Sequence, residues 1–271
     1  INKGKILGLV PKINLPNYNE FYEARHFSRG KEKSELVCLK EETEVLFGSD
    51  LLFTCESMPD LKIGVELCED LWTVQPPSIR HARNGASVIV NLSASNELTG
   101  KSAYRRELVK TQSARLLCGY IYASAGEGES TQDVVYSGHN LIAENGTLLK
   151  EAVPFSGESV VSEIDVTRLI AERRRMTTFE LEESEYKKIP FSVQKEQIEL
   201  TRPVDPMPFV PSGASDRNTR CEEILAIQAH GLKKRLEHTH CKVAVIGISG
   251  GLDSTLALLV TVRAFDLLGM D

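Results

Sequence analysis

The segment VAVIGISGGLDSTLALL, at residues 243–259, constrains the fold of this chain more than any other feature. An apolar run rich in β-branched residues stops at a Ser-Gly-Gly turn, and apolar residues with helical spacing follow it. This pattern predicts a buried strand over 243–248, a tight turn and a helix beginning near Leu252, which together form the unit of an α/β layer. Glycines let backbone N–H groups approach an anion at a helix N-terminus. The turn therefore predicts a pyrophosphate-binding nest, and it matches neither a GxxxxGK[ST] loop nor a GxGxxG fingerprint.

The rest of the chain alternates between strand and helix patterns. Apolar and β-branched runs predict strands at KILGLVPK, LKIGVELCEDLW, SVIVNLSAS, YIYASA and SVVSEIDV. Amphipathic spacing predicts helices at PPSIRHARNGAS, which Gly85 would close, at KSAYRRELVKTQSARLLCG and at DVTRLIAERRRMTTF. Asn145-Gly146, between two apolar runs, predicts a β-hairpin. Together these elements predict a layered α/β domain.

A proline-rich stretch divides the chain. TRPVDPMPFVPSGASD contains four prolines and cannot keep regular structure, so it predicts a linker. We expect a first domain over residues 1–200, a linker over 201–216 and the beginning of a second domain over 217–271. The second domain opens with the amphipathic helix CEEILAIQAHGLKKRLEH, which leads into the glycine turn.

The composition argues against several classes of protein. A hydrophobic fraction of 41%, a charged fraction of 26% and a net charge of −6 are ordinary for a globular protein, and they give no electrostatic basis for binding nucleic acid or an anionic membrane. The apolar runs are too short to span a bilayer. The six cysteines lack CxxC spacing, which argues against zinc, and so few thiols in 271 residues favour a cytoplasmic location.

One cysteine stands in a context that suggests chemistry. Cys68 lies where an apolar strand pattern gives way to Glu69 and Asp70, which places its thiol at an exposed strand end. The two carboxylates alone would raise the pKa of the thiol, so a nucleophile here needs a positive partner. Lys12, at the end of another predicted strand, could supply that charge, or it could be a solvated loop residue.

The glycine turn carries the first family resemblance. SGGLDS is similar to the signature of the ATP pyrophosphatase family, which cleaves ATP between its α and β phosphates. The resemblance implies that the turn binds ATP and that Asp253 arranges Mg²⁺. The positions that match the signature are Ser249, Gly250, Gly251, Asp253 and Ser254.

A second resemblance covers the first half of the chain. VPKINLPNYNEFYEARHF, GVELCEDLW and VIVNLSASNE resemble the nitrilase, or carbon–nitrogen hydrolase, superfamily, which uses a Glu-Lys-Cys triad in an α-β-β-α sandwich. Cys68 matches the nucleophile and Lys12 the lysine, while Glu23 resembles a second, supporting glutamate. The triad glutamate of that superfamily precedes the lysine, and none of the eleven residues before Lys12 is acidic. We therefore expect a nitrilase-like sandwich, incomplete at its N-terminus, followed by the start of a Rossmann-like α/β ATP-pyrophosphatase domain.

The combination of the two halves resembles the family of glutamine-dependent NAD⁺ synthetases. The resemblance implies that the first domain hydrolyses glutamine and that the second uses ATP and the released ammonia to amidate deamido-NAD⁺. It implies small molecules as partners and a homo-oligomeric assembly, without nucleic acid or membrane. It also implies a glutamine pocket, although each of its residues could instead be a packing aromatic, a solvated charge or a cap. These residues are Tyr18, Phe21, Glu69, Trp72 and Ser95.

Two further interpretations compete with the bifunctional enzyme. One is a stand-alone amidase of the nitrilase superfamily, against which the SGGLDS string argues. The other is a non-catalytic assembly fragment. We expect the chain alone to be inactive in both halves, since it lacks the triad glutamate and most of the elements that would bind ATP and the dinucleotide.

Overall fold

A computed structural model describes residues 1–39, 44–131, 133–182, 186–211 and 213–270. The chain divides into two compact units, Ile1–Arg202 and Pro203–Asp271. Residue 212, within the expected linker, and residue 271, at the end of the expected second domain, lie outside the described residues. None of the helices in these described ranges combines the length and the apolarity that a membrane crossing requires.

The first unit contains nine strands: β1 (Glu35–Cys38), β2 (Glu44–Phe47), β3 (Leu51–Cys55), β4 (Lys62–Leu67), β5 (Val88–Ser93), β6 (Gly119–Ser124), β7 (Leu141–Glu144), β8 (Thr147–Glu151) and β9 (Lys187–Phe191). Seven of them form a mixed sheet in the order β8-β7-β6-β5-β4-β3-β9, and β1 pairs with β2 in a separate two-stranded sheet. Its helices are α1 (Pro77–Arg83), α2 (Lys101–Arg115) and α3 (Val166–Arg175). The α/β class expected from the sequence is confirmed.

The centre of the sheet is parallel, and this places the functional segments. Strands β4, β5 and β6 run parallel, with Leu67 opposite Leu92 in the register. Their carboxyl ends therefore meet at one edge of the sheet, which is the usual location of a site in an α/β fold. Cys68 follows β4 at this edge, and Ser93 ends β5.

The hydrophobic core lies between the sheet and helices α1 and α2. Ile89 of β5 and Val109 of α2 are both fully buried in one cluster, and burying an aliphatic side chain of this kind contributes roughly 2 kcal/mol. Helix α1 packs closely on β4 at Gly64, where a Cβ would lie 2.7 Å from the Cβ of His81. The close approach of helix and strand therefore requires glycine at this position.

The other face of the sheet is less covered. Because side chains alternate along a strand, Gly64 and Glu66 point toward α1, whereas Val65 and Leu67 point to the opposite face. That face borders a cavity of about 400 Å³, which the segment from Leu7 to Val10 also lines.

The predicted hairpin and helices are confirmed. Asn145 and Gly146 join β7 to β8 with φ angles of +44° and +82°, the left-handed pair that this turn requires. The N–H of Gly146 donates to Ser113 Oγ at 2.9 Å, which fixes the turn to α2. Gly85, with φ +98°, follows α1 as expected.

The second unit contains two packed helices. Helix α4 (Ala214–Thr239) contacts α5 (Leu252–Asp266). The turn at 249–251 precedes α5 directly, and Gly250 has a φ of +83°. The predicted turn-to-helix step is thus present.

Three predicted strands are wrong. KILGLVPK forms only isolated bridges, one between Lys5 and Asn2 and one between Leu9 and Phe47, and Pro11 has no N–H to continue a ladder. SVVSEIDV stays unpaired, and its Ile164 packs against Gly119 instead. Residues 243–248 have no regular secondary structure and pair with no described strand, and Val245 is 94% exposed. A strand needs a neighbour to satisfy its backbone groups, so an apolar run alone cannot form one.

Candidate active site

Cys68 occupies a strained turn at the end of β4. It begins a short 3₁₀ turn, Cys68–Trp72, and has a φ of +47°, a left-handed value that is rare for a residue with a side chain. Such a conformation costs on the order of 1–3 kcal/mol and persists only where neighbours enforce it. The N–H of Cys68 donates to Asn91 Oδ1 at 3.1 Å, and the N–H of Leu67 donates to Asp70 Oδ2 at 3.1 Å.

Lys12 and Glu23 form a close ion pair beside this turn. Lys12 Nζ lies 2.7 Å from Oε1 and 2.6 Å from Oε2 of Glu23, and both side chains are largely shielded from solvent. These two residues and Cys68 line one cavity of about 530 Å³. The structure therefore brings together Lys12 and Cys68, which are far apart in the sequence, and adds the supporting glutamate.

Asp70 connects the two segments that carry Lys12 and Cys68. Its Oδ1 accepts hydrogen bonds from the backbone N–H and from the side-chain Nδ2 of Asn14, both at 2.9 Å, and its side chain is almost completely buried. Asn14 follows Lys12 by two positions, and Asp70 follows Cys68 by two. The sequence suggested that Asp70 would act on the thiol, but its carboxylate is engaged with Asn14 and Leu67.

The pKa of the Cys68 thiol is raised above its usual value. Burial is the largest cause, and the positive charge of Lys12, the N–H of Ala94 and the hydroxyl of Ser93 act in the opposite direction. The thiolate thus depends on the groups that face it, and Lys12 is the largest of those that stabilise it.

A cluster of aromatic and charged side chains lies next to the turn. Tyr18 donates its hydroxyl to Glu69 Oε1 at 2.7 Å, and burial together with this bond raises the pKa of Tyr18 to about 12. The rings of Tyr18 and Phe21 meet edge to face at 6.0 Å between centroids. Lys101 Nζ lies 5.9 Å from the centroid of Phe21 and 5.3 Å from that of Trp72. Four of the five predicted pocket residues are therefore linked by contacts.

Ser95 is the fifth predicted pocket residue. It is buried two positions after the end of β5, and it is followed by Asn96, whose Oδ1 accepts a hydrogen bond from Lys101 Nζ at 2.6 Å. Ser95 is not among the residues that the contacts described above link. Its inclusion in the pocket therefore stays a prediction.

Lys101 was missed by the sequence interpretation. It is the first residue of α2, and a cation at a helix N-terminus opposes the helix dipole. The unfavourable placement of a positive charge at a helix N-terminus could have indicated Lys101 from the sequence, because it suggests a role other than helix stability. Burial lowers the pKa of Lys101, which is consistent with its position between two rings.

The glycine turn before α5 is held by hydrogen bonds among its own residues. Ser254 Oγ donates to the carbonyl oxygen of Gly251 at 3.0 Å and accepts from the N–H of Ser249 at 3.3 Å. The N–H of Gly251 donates to Ser249 Oγ at 3.4 Å, and the turn and the first residues of α5 are mostly exposed.

A metal site made by the protein alone is not found in the part of the chain that the structure describes, where no three His, Cys, Asp or Glu side chains cluster. Asp253 is a single carboxylate in the first turn of α5, beside the glycine turn. Mg²⁺ is commonly held by one or two carboxylates together with substrate phosphates, so this donor set fits Mg²⁺ only as part of a nucleotide complex.

Comparison with known proteins gives one family model, NAD synthase, which matches residues 224–270. A glutamine-dependent NAD(+) synthetase of Mycobacterium tuberculosis (strain ATCC 25618 / H37Rv) is 41% identical over 98% of this chain and 41% of its own length. One of Thermotoga maritima is 26% identical over 97% of this chain and 41% of its own length. The chain thus spans about two fifths of the curated relatives it matches, and these matches confirm the resemblance inferred from its motifs.

Two solved structures are also similar. A glutamine-dependent NAD(+) synthetase from Cytophaga hutchinsonii has 32% identity and a TM-score of 0.47, covering 56% of this chain and 23% of that chain. A carbon-nitrogen hydrolase from Helicobacter pylori G27 has 18% identity and a TM-score of 0.45, covering 61% of this chain and 54% of that chain.

Proposed function

Because this chain is homologous over almost its whole length to glutamine-dependent NAD(+) synthetases, we propose that it carries the glutaminase site and the start of the ATP site of such an enzyme. The observation that carries the proposal is the convergence of Cys68, Lys12 and Glu23 on one cavity. We propose residues 1–200 as the glutaminase domain, 201–216 as the linker and 217–271 as the beginning of the synthetase domain.

The geometry supports a thiolate mechanism. The sulfur of Cys68 attacks the side-chain amide carbon of glutamine, forming a C–S bond, while the Lys12 ammonium stabilises the oxyanion. The proton lost by the thiol passes through a carboxylate base to the leaving nitrogen, and ammonia departs. Water then cleaves the thioester to release glutamate. Glu23 holds Lys12 with both carboxylate oxygens, so its part is to position the ammonium and not to transfer the proton.

The neighbouring pocket suits an α-amino acid. Glu69 supplies a negative charge for the α-ammonium of glutamine, and Lys101 supplies a positive charge for the α-carboxylate. The aromatic rings of Tyr18, Phe21 and Trp72 lie beside these charges and can pack against the aliphatic part of the substrate.

The glycine turn supports the second half of the reaction. The N–H of Gly250 and those at the N-terminus of α5 bind the pyrophosphate of ATP, while the carboxylate of deamido-NAD⁺ attacks the α-phosphate and pyrophosphate leaves. Ammonia then displaces AMP from the adenylate and gives NAD⁺. Mg²⁺ would be held by Asp253 together with the phosphates, and it would neutralise their charge.

A nitrogen-source experiment tests this function in the protein made from its complete reading frame. The variant Cys68→Ala should lose NAD⁺ formation with glutamine and keep it with ammonium chloride, because only the first half needs the thiol. Cys38→Ala, which changes an exposed cysteine, is the matched control and should keep both activities. Glutamine-dependent synthesis by Cys68→Ala would refute the proposal. A protein that hydrolyses glutamine but makes no NAD⁺ from either nitrogen source would instead be a stand-alone amidase.

A further inference from the structure

Asn91 lies directly beneath the turn of Cys68, on β5, and is fully buried. Its Oδ1 is 3.1 Å from the backbone nitrogen of Cys68 and 2.6 Å from Ser93 Oγ. Its Nδ2 donates to the hydroxyl oxygen of Tyr120 at 3.2 Å. A single amide side chain therefore contacts the nucleophile's backbone, a hydroxyl close to the thiol, and a buried phenol.

The orientation of this amide is fixed by its partners. The backbone N–H of Cys68 can only donate, so the atom that faces it must be the carbonyl oxygen of Asn91. The NH₂ group then faces Tyr120, whose hydroxyl oxygen accepts from it and whose proton goes to Glu66. Glu66 also accepts the N–H of Ser78 at 2.8 Å, at the start of α1. Because Glu66 and Tyr120 are fully buried, water cannot substitute for any member of this chain.

We propose that Asn91 is a positioning residue for Cys68, holding its backbone in the left-handed conformation that presents the thiol to the cavity shared with Lys12. The same carbonyl oxygen orients the Ser93 hydroxyl. This inference rests on the proposed glutaminase function, because it concerns how the nucleophile of that reaction is held.

Two observations separate this proposal from simple packing. The φ of +47° at Cys68 has to be enforced by a neighbour, and the carbonyl of Asn91 accepts the N–H of that same residue. In addition, Ser93 has one hydroxyl proton, which is donated to Asn91 in the resting state and stabilises the thiolate when it turns toward the sulfur. Losing the amide would therefore change the chemistry of the thiol as well as the stability of the fold.

The test compares Asn91→Ala with a matched asparagine. Asn140 likewise accepts a backbone N–H through Oδ1, from Ser124 at 2.9 Å. The hydrogen bonds of its side chain in the described residues go to Ser124 and Glu158, not to Cys68 or Ser93. In the protein from the complete reading frame, three quantities are measured for each variant: kcat and KM for glutamine hydrolysis, the pH dependence of iodoacetamide labelling of the Cys68 peptide by mass spectrometry, and the thermal midpoint of unfolding.

We expect Asn91→Ala to lower kcat by about tenfold or more, equivalent to about 1.4 kcal/mol of transition-state stabilisation, with KM changed less than about twofold. The labelling profile should move to lower pH, because the Ser93 hydroxyl then has no amide oxygen to donate to and can donate to the thiolate instead. Asn140→Ala should leave kcat and the labelling profile unchanged. NAD⁺ formation from ammonium chloride should survive in both variants.

A second variant keeps the proposal testable if Asn91→Ala does not fold. Tyr120→Phe removes the hydroxyl that accepts from the amide and donates to Glu66. It should shift kcat and the labelling profile in the same direction by a smaller factor. Wild-type values of kcat and labelling in the folded variants would overturn the inference, provided that glutamine hydrolysis still requires Cys68. Hydrolysis that survives Cys68→Ala would instead overturn the proposed function itself.

Discussion

Asp70 accepts both the backbone N–H and the side-chain amide of Asn14, each at 2.9 Å, and so joins two loops that are 56 residues apart in the chain. One loop carries the lysine of the candidate site and the other its cysteine. The relative position of the two chemical groups thus depends on a buried carboxylate that touches neither of them.

Changing that carboxylate to an amide should loosen the site. In Asp70→Asn, the NH₂ group must face either Asn14 or the N–H of Leu67. Two buried hydrogen-bond donors then face each other, and neither has an acceptor. We expect the free energy of unfolding to fall by about 1–3 kcal/mol, and glutaminase kcat to fall as well. Urea titration and steady-state kinetics measure both. Asp60→Asn, whose carboxylate makes only a long 3.4 Å contact with Thr167, is the control and should change little.

The charge of Lys12 should be visible in the reactivity of Cys68. Burial raises the pKa of the thiol, and Lys12 opposes that rise by stabilising the thiolate. Lys12→Met removes the charge and keeps the length, so the pKa should rise further and alkylation of the Cys68 peptide should require higher pH. Lys31→Met removes an exposed lysine that lines the same cavity and should leave the profile in place. An unchanged pH profile of Cys68 alkylation in Lys12→Met would contradict the conclusion that Lys12 stabilises the Cys68 thiolate.

Lys101 should act on substrate binding. Lys101→Ala removes the positive charge between Phe21 and Trp72, and with it the proposed partner of the glutamine carboxylate. We expect KM for glutamine to increase by about tenfold or more, a charge-assisted contact of roughly 1.5–3 kcal/mol, with a smaller change in kcat. Lys110→Ala, on the exposed side of the same helix, is the matched control. An unchanged KM for glutamine in Lys101→Ala would show that Lys101 does not bind the substrate carboxylate.

His81 should make the first unit sensitive to acid. Its ring is buried between the hydroxyl of Tyr186 and the carbonyl of Val65, and burial lowers its pKa from 6.5 to about 4. The unfolded chain binds a proton near pH 6.5 and the folded chain does not, so this contribution is complete above pH 6.5 and is lost as the pH falls toward 4.

Between pH 6.5 and pH 4, the neutral state of His81 should lower the free energy of unfolding by roughly 3 kcal/mol. Urea unfolding at pH 7 and pH 4.5 should show a smaller loss of stability in His81→Gln than in the wild type. His26→Gln changes an exposed histidine and should keep the wild-type slope. Equal slopes in wild type and His81→Gln would show that His81 is not held neutral.

Much of the fold of the first unit could be predicted from local sequence patterns. The strand before Cys68, the helix closed by Gly85 and the hairpin at Asn145 depend on neighbours in sequence, and each lies where the pattern placed it. The strand expected at 243–248 failed because pairing is decided by what lies beside a segment, and that information is not local. The strands β1, β2, β3 and β9 were not predicted, because each is only four or five residues long and gives too short a pattern.

The candidate site shows the same division. Cys68 and Lys12 were identified because each stands at the end of an apolar run within a recognisable motif. Asn91 and Asp70 were not assigned their roles, since a polar residue in a strand or turn has many uses until its partners are known. Their partners come from other segments, such as Cys68 for Asn91 and Asn14 for Asp70.

The Asn145-Gly146 turn has a consequence for the chemical ageing of this protein. Spontaneous deamidation begins when the backbone nitrogen of the following glycine attacks the asparagine side chain to form a succinimide. Here that nitrogen is committed to Ser113 through its hydrogen bond, and both residues are held in left-handed conformations. Isoaspartate should therefore accumulate at position 145 far more slowly in the native protein than in the urea-unfolded chain. The rate at which it accumulates in the native protein then reports how often this hairpin opens.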